Sequence, residues 1–155
     1  MKSLQPGDRL PFFQLRNQDD ELVDISKFIG KPLVIYFYPK DDTPGCTRQA
    51  CAFRDEFERF SEAGVIVFGI SSDSTDAHRR FKERYDLPFD LLADEQSKVR
   101  KLIGVPSGFL GLLPGRVTYI IDNKGIVRHT FSSQLDMTAH VEEALRIIAK
   151  FPAIH

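Results

Sequence analysis

Apolar residues in this chain alternate between short continuous runs and three-and-four spacings, and that alternation predicts its elements. Residues 10–15 and 22–25 are short apolar segments on either side of the polar stretch 16–21, the pattern of a hairpin. Residues 32–38 form a near-continuous β-rich run, as expected of a strand covered on both faces. From 44 to 63 the spacing changes, with Cys46, Ala50, Phe53, Phe57 and Phe60 marking the apolar face of one helix that Gly64 ends. Residues 65–70 predict a second buried strand, and Asp73 and Ser74 open a helix through Tyr85. A short strand over 89–92 and a short helix over 97–103 follow. Residues 117–121 and 126–131 flank a turn at 122–125, a second hairpin, and a last helix over 138–150 carries Val141, Ala144, Leu145 and Ile148 on one face.

This order predicts an α/β protein with a central mixed sheet flanked by helices and an N-terminal β-hairpin. It is similar to the order of the thioredoxin-like fold, in which a redox cysteine also follows the first core strand. A length of 155 residues, without an internal repeat, linker or low-complexity stretch, predicts a single domain over 1–155.

Composition narrows the function. A net charge of −1 argues against nucleic acid or an anionic membrane as partner. No run reaches the roughly 18 apolar residues that a membrane span needs. The first residues show neither a signal-peptide run nor the Arg/Ser-rich character of a transit peptide, so a cytosolic location is expected. A mature organellar chain with its leader removed would read the same. Two cysteines are too few for a disulfide scaffold; in a reducing compartment such a pair is catalytic or metal-binding.

Those two, Cys46 and Cys51, lie just after the first core strand, behind a Thr-Pro-Gly turn. Thr43 is a good N-cap, its hydroxyl able to accept from a backbone N–H one turn in. Pro44 falls at the first helical position, where its missing N–H costs nothing, and Gly45 leaves room for a substrate to approach the backbone. Cys46 then faces the free N–H groups and positive end of the helix, a setting that favours thiolate over thiol. It shares the apolar face with Ala50, Phe53 and Phe57, whereas Cys51 is rotated about 140° away, among Arg54, Asp55 and Glu58. Ideal helix geometry separates their Cα atoms by about 8.7 Å, beyond the limit of about 7 Å for a disulfide. If the pair is redox-active, the first helical turns must unwind.

A buried Cys on an apolar helix face is often mere packing, but the cap, the Pro-Gly turn and the second Cys argue against that here. A zinc site needs four ligands, and His78, His129, His140 and His155 show no ligand spacing; they read as surface or helix residues.

Pro39-Lys-Asp-Asp-Thr-Pro-Gly-Cys46 fits the Pro-x-x-x-Thr-x-x-Cys signature of peroxiredoxins, and the Thr-Pro-Gly-Cys-Thr-x-x-Ala-Cys form resembles their PrxQ branch, also called bacterioferritin comigratory protein. The resemblance runs nearly the whole length, through 6–15, 68–73, 91–94 and 115–122. The stretch 105–116 looks closest to plant and cyanobacterial members. It implies a thiol-dependent peroxidase acting on hydrogen peroxide and organic hydroperoxides, with Cys46 peroxidatic and Cys51 resolving. Thr43 and Pro39 take the other signature places, and Arg116 matches the arginine that opens the late strand. Gln49 stands where many relatives carry Glu. Thr43, the Cys46 N–H and Arg116 would stabilise thiolate and transition state, and Pro39 would shield the pocket. Cys51 would condense with the Cys46 sulfenic acid to an intramolecular disulfide, and thioredoxin or a similar dithiol reductant would recycle it. The resemblance further implies a monomer and no metal, flavin or haem cofactor. The apolar stretch 109–113 reads as packing or as a rim that receives the reductase or an alkyl peroxide.

Two rivals use the same pair: a thiol–disulfide oxidoreductase, although Cys-x-x-Cys is absent, and a redox sensor that binds a partner only when oxidised.

Overall fold

The computed structural model describes residues 3–106, 115–133 and 136–151. A hairpin of β1 (Gln14–Asn17) and β2 (Leu22–Asp24) leads through a 3-10 turn (Ile25–Phe28) to β3 (Leu33–Phe37). Then come α1 (Pro44–Asp55), α2 (Phe57–Glu62), β4 (Ile66–Ser71), α3 (Thr75–Tyr85), β5 (Asp90–Ala93) and α4 (Lys98–Ile103). The hairpin of β6 (Val117–Ile121) and β7 (Val127–Ser132) precedes α5 (Met137–Ile148).

The seven strands form one mixed sheet in the order β2-β1-β5-β4-β3-β6-β7. β3, β4 and β5 run parallel, and each hairpin joins antiparallel, β1 on β5 and β6 on β3. β3 is buried throughout, and its alternation divides two cores. Leu33, Ile35 and Phe37 pack with Val99 and Ile103 of α4 and with Leu4, Leu10 and Phe13. Val34, Tyr36 and Tyr38 pack on the other face with α1, α2, α3 and α5 through Phe53, Phe60, Phe81 and Val141. A strand covered on both faces has no polar side to show, which is why its sequence is a continuous apolar run.

Two expectations change. The first apolar segment is a strand only from Gln14; before it, Arg9 bridges Ile126 and Leu10 N–H donates to the Gly125 carbonyl, so the segment is tied to the late hairpin. The single helix expected over 44–63 is two, broken at Glu56 (φ −104°, ψ 8°). Phe53, Phe57 and Phe60 pack against one core cluster across that break, so the apolar spacing continues where the backbone does not. Among the described residues, no helix is long and apolar enough to cross a membrane.

Candidate active site

Chain order along the sheet reverses at β3: β4 and β5 lie on one side of it and β6 on the other. In open α/β sheets, sites form at the carboxyl ends of strands at such a reversal. The thiol-bearing segment leaves β3 at that end. The antiparallel register pairs Phe37 with Val117, so Arg116, just before β6, is brought beside the β3–α1 connection. Sheet register thus joins two segments far apart in sequence.

At the helix start, Thr43 is the N-cap residue with extended backbone (φ −89°, ψ 154°), Pro44 is the first helical residue, and the Thr43 carbonyl accepts from the Thr47 N–H at 2.8 Å. The Thr43 hydroxyl does not cap the helix, as the sequence predicted it would; it donates to the Lys40 carbonyl at 2.9 Å. Its proton is committed to the loop, and its lone pairs remain available as acceptors. At Gly45, a Cβ would lie 3.3 Å from Arg116 Nη2 and 3.5 Å from Met137 Cε. The missing side chain admits the guanidinium and the start of α5.

Cys46 is 1% exposed, packed with Tyr36, Tyr38, Ala50 and Phe53. Arg116 is buried as well, and its Nη1 donates to Gln49 Oε1 at 2.5 Å. Since a guanidinium only donates, Gln49 must present its carbonyl. Its own Nε2, like Arg116 Nε, is buried with no hydrogen-bond partner among the described residues. Pro39, half-buried, follows Tyr38 at the strand end.

Cys51 is half-buried on the same unbroken helix, and both thiols are free. Burial pushes the Cys51 thiol above its ordinary range, Arg54 opposes that and Asp55 adds to it.

Beneath the helix, Tyr36 stacks on Phe53 with ring centroids 4.6 Å apart, and its hydroxyl is buried without a partner among the described residues. Burial holds its phenol well above the usual range; negative charge on Asp41 and Cys46 adds to this and Arg116 opposes it.

Sequence reading missed a second polar cluster. Asp41 accepts from the Tyr38 hydroxyl at 2.5 Å and lies 2.6 Å from His78 Nδ1, while Asp73 accepts from the Ser71 hydroxyl and the Asp41 N–H. Asp41, Asp73 and His78 put ligand-type atoms within 4.8 Å of one another, but those atoms are already engaged with one another and with Tyr38, Ser71 and the Leu92 carbonyl. His78 and His140, read as surface or helix residues, lie on helices and are completely buried. A histidine in a polar helix sequence carries no mark of a buried partner 37 residues away. The stretch 109–113 and His155 lie outside the described residues.

Residues 6–130 match the family model described as "AhpC/TSA family". Over 142 residues the chain is 51% identical to a "Peroxiredoxin Q, chloroplastic" from Suaeda salsa, covering 92% of this chain and 66% of that protein. It is 53% identical to the protein of that name from Triticum aestivum, covering 92% of this chain and 65% of that one. The chain thus spans just under two thirds of the length of these relatives. Among solved structures, the peroxidoxin BcpB from Mycobacterium tuberculosis superposes with a TM-score of 0.88 at 34% identity, covering 96% of this chain and 99% of that one. The mixed sheet with flanking helices is therefore the thioredoxin-like fold of this group. One expectation is overturned: the plant relatives are named chloroplastic, which points to an organelle and not to the cytosol. The residues of a folded domain carry no record of its address, so composition could not distinguish the two.

Proposed function

The chain belongs to the AhpC/TSA family, in its peroxiredoxin Q branch, and from that premise we propose that it is a thiol-dependent peroxidase, with Cys46 as the nucleophile. One observation carries the assignment: Cys46 is buried in the first turn of α1, next to Gly45, whose missing side chain admits the buried Arg116 from the residue before β6.

The Cys46 thiolate attacks one peroxide oxygen, the O–O bond breaks, and the second oxygen leaves with the electron pair and takes a proton. Arg116 and the free N–H groups of the first turn stabilise the charge developing on that oxygen. Thr43, whose proton is held by Lys40, meets the peroxide as an acceptor and orients its O–H. Pro39 shields the pocket from water. The product is Cys46 sulfenic acid, the first rung of thiol oxidation.

Cys51 then attacks the sulfenic sulfur, an S–S bond forms and water leaves. Both cysteines lie on one helix, so this step requires local unwinding. A dithiol of the thioredoxin type returns two electrons and two protons by exchange. Hydrogen peroxide and organic hydroperoxides are the substrates, the working unit is one chain folded as one domain over 1–155, and the setting is organellar. The electrons pass between sulfur and oxygen, so the chemistry calls for no metal, flavin or haem.

Stopped-flow mixing of the reduced protein with hydrogen peroxide, followed by intact mass, tests this reading. The expected result is fast loss of the Cys46 thiol and a loss of two hydrogens within one chain. A Cys46 thiol that survives peroxide ends the peroxidase assignment.

A further inference from the structure

The loop between β3 and α1 is held by α3 more than by the helix it feeds. Asp41 accepts from the Tyr38 hydroxyl through one carboxylate oxygen at 2.5 Å and meets His78 Nδ1 through the other at 2.6 Å. Its N–H donates to Asp73 Oδ2 at 2.8 Å. His78 is 0% exposed, and its Nε2 faces the Leu92 carbonyl at 3.0 Å, so that nitrogen carries a proton. One residue on, Asp42 accepts from Arg84 at 2.8 Å and from the Tyr85 hydroxyl at 3.1 Å. Consecutive aspartates therefore grip one helix at two places, and the Thr43 hydroxyl closes the loop onto Lys40.

The far end of the thiol helix is tied to the same element, because Arg54 Nη1 donates to the Tyr85 carbonyl at 2.7 Å. Between these ties, the described hydrogen bonds of α1 run within its own backbone and from Arg116 to Gln49. Pro44 and Arg48 are exposed and Thr47 is half-exposed. A buried, fully paired polar cluster resists opening, whereas a terminal helical turn with one exposed face and, among the described residues, no side-chain tie of its own is cheaper to open.

We propose that Asp41 and His78 are positioning residues for the peroxidase reaction. They clamp the loop that bears Pro39 and Thr43, so that it keeps its place while the first turns of α1 unwind and refold around the Cys46–Cys51 disulfide. The substrate-facing wall is then already built when the thiol returns to it. This inference rests on the disulfide reading given above.

Residue-resolved amide exchange on the reduced protein, and again after one equivalent of hydrogen peroxide, tests the clamp, with intact mass reporting the disulfide separately. In the oxidised protein the Asp41 amide should stay within about threefold of its reduced rate, while the Ala50 and Cys51 amides accelerate about a hundredfold or more. Asp41→Ala should lower kcat/KM for hydrogen peroxide about a hundredfold, the cost of a misplaced reacting geometry. Asp41→Asn can donate to His78 Nδ1 while still accepting from Tyr38, and should recover activity to within about threefold. That rescue is not expected if Asp41 only stabilises the fold through its charge.

The proposal is overturned if Asp41 and Ala50 open together in the oxidised protein, or if Asp41→Ala keeps full activity. If the mass shows no loss of two hydrogens, the disulfide reading fails by itself. The clamp is then judged on the reduced protein, where exchange of Asp41 slower than Ala50 supports it and the reverse order removes it. The wild-type exchange stands whether or not Asp41→Ala folds.

Discussion

Arg116 donates to the side-chain carbonyl of Gln49 at 2.5 Å, a buried cation held by an uncharged partner. Such a bond fixes the guanidinium without cancelling its charge. Had position 49 carried a carboxylate, the cation would be shared between a fixed anion and the thiolate it is proposed to serve.

Gln49→Glu should therefore lower kcat/KM for hydrogen peroxide at neutral pH, by about tenfold, because a second negative charge opposes both the thiolate and the leaving oxygen. Steady-state kinetics of the two proteins side by side check this. Equal rates would show that the charge of the partner is immaterial.

The two cysteines should separate cleanly by mutation. Cys46→Ser should abolish peroxide reduction. Cys51→Ser should gain one oxygen on a single exposure to peroxide, yet fall at least about tenfold in thioredoxin-dependent turnover. Undiminished turnover in Cys51→Ser would show that resolution does not pass through an intramolecular disulfide.

In Cys46→Ser, the remaining thiol reports its own surroundings. Burial keeps Cys51 above the ordinary thiol range, so alkylation by iodoacetamide should rise only at correspondingly higher pH. In urea the profile should fall back to that of a free cysteine. Identical profiles, folded and unfolded, would contradict the burial argument.

Gly69 is required by contact: a Cβ there would lie 2.8 Å from Tyr36 Cζ and 3.0 Å from Leu91 Cδ2. Gly69→Ala should cost about 1–3 kcal/mol of stability and displace the ring beneath Cys46. Urea midpoints measure the first effect and peroxide kinetics the second.

Burial lowers the His140 pKa below its usual 6.5, with Arg116 contributing, while the hydrogen bond to the Ser133 carbonyl works against the shift. Its stabilising contribution is therefore complete above the unfolded value near 6.5 and is lost as pH falls through the folded value. Urea midpoints should drop as pH falls below 6.5, and His140→Gln should flatten that part of the profile.

Much of this was legible in the sequence because it follows from local rules. The Thr-Pro-Gly turn sets the helix start, and the three-and-four spacing puts Cys46 on the core face and Cys51 off it. What escaped depends on tertiary partners. The break at Glu56 is invisible because Phe57 and Phe60 continue the apolar stripe beyond it. The direction of the Thr43 hydroxyl is set by a loop carbonyl, and the burial of His78 by a carboxylate 37 residues earlier. Neither leaves a periodic trace.

The bond from Arg116 to Gln49 spans 67 residues and exists only after β6 has docked along β3. Until then an emerging or partly folded chain carries the thiol helix without its cation. On the proposed assignment, full reactivity toward peroxide waits for completion of the sheet.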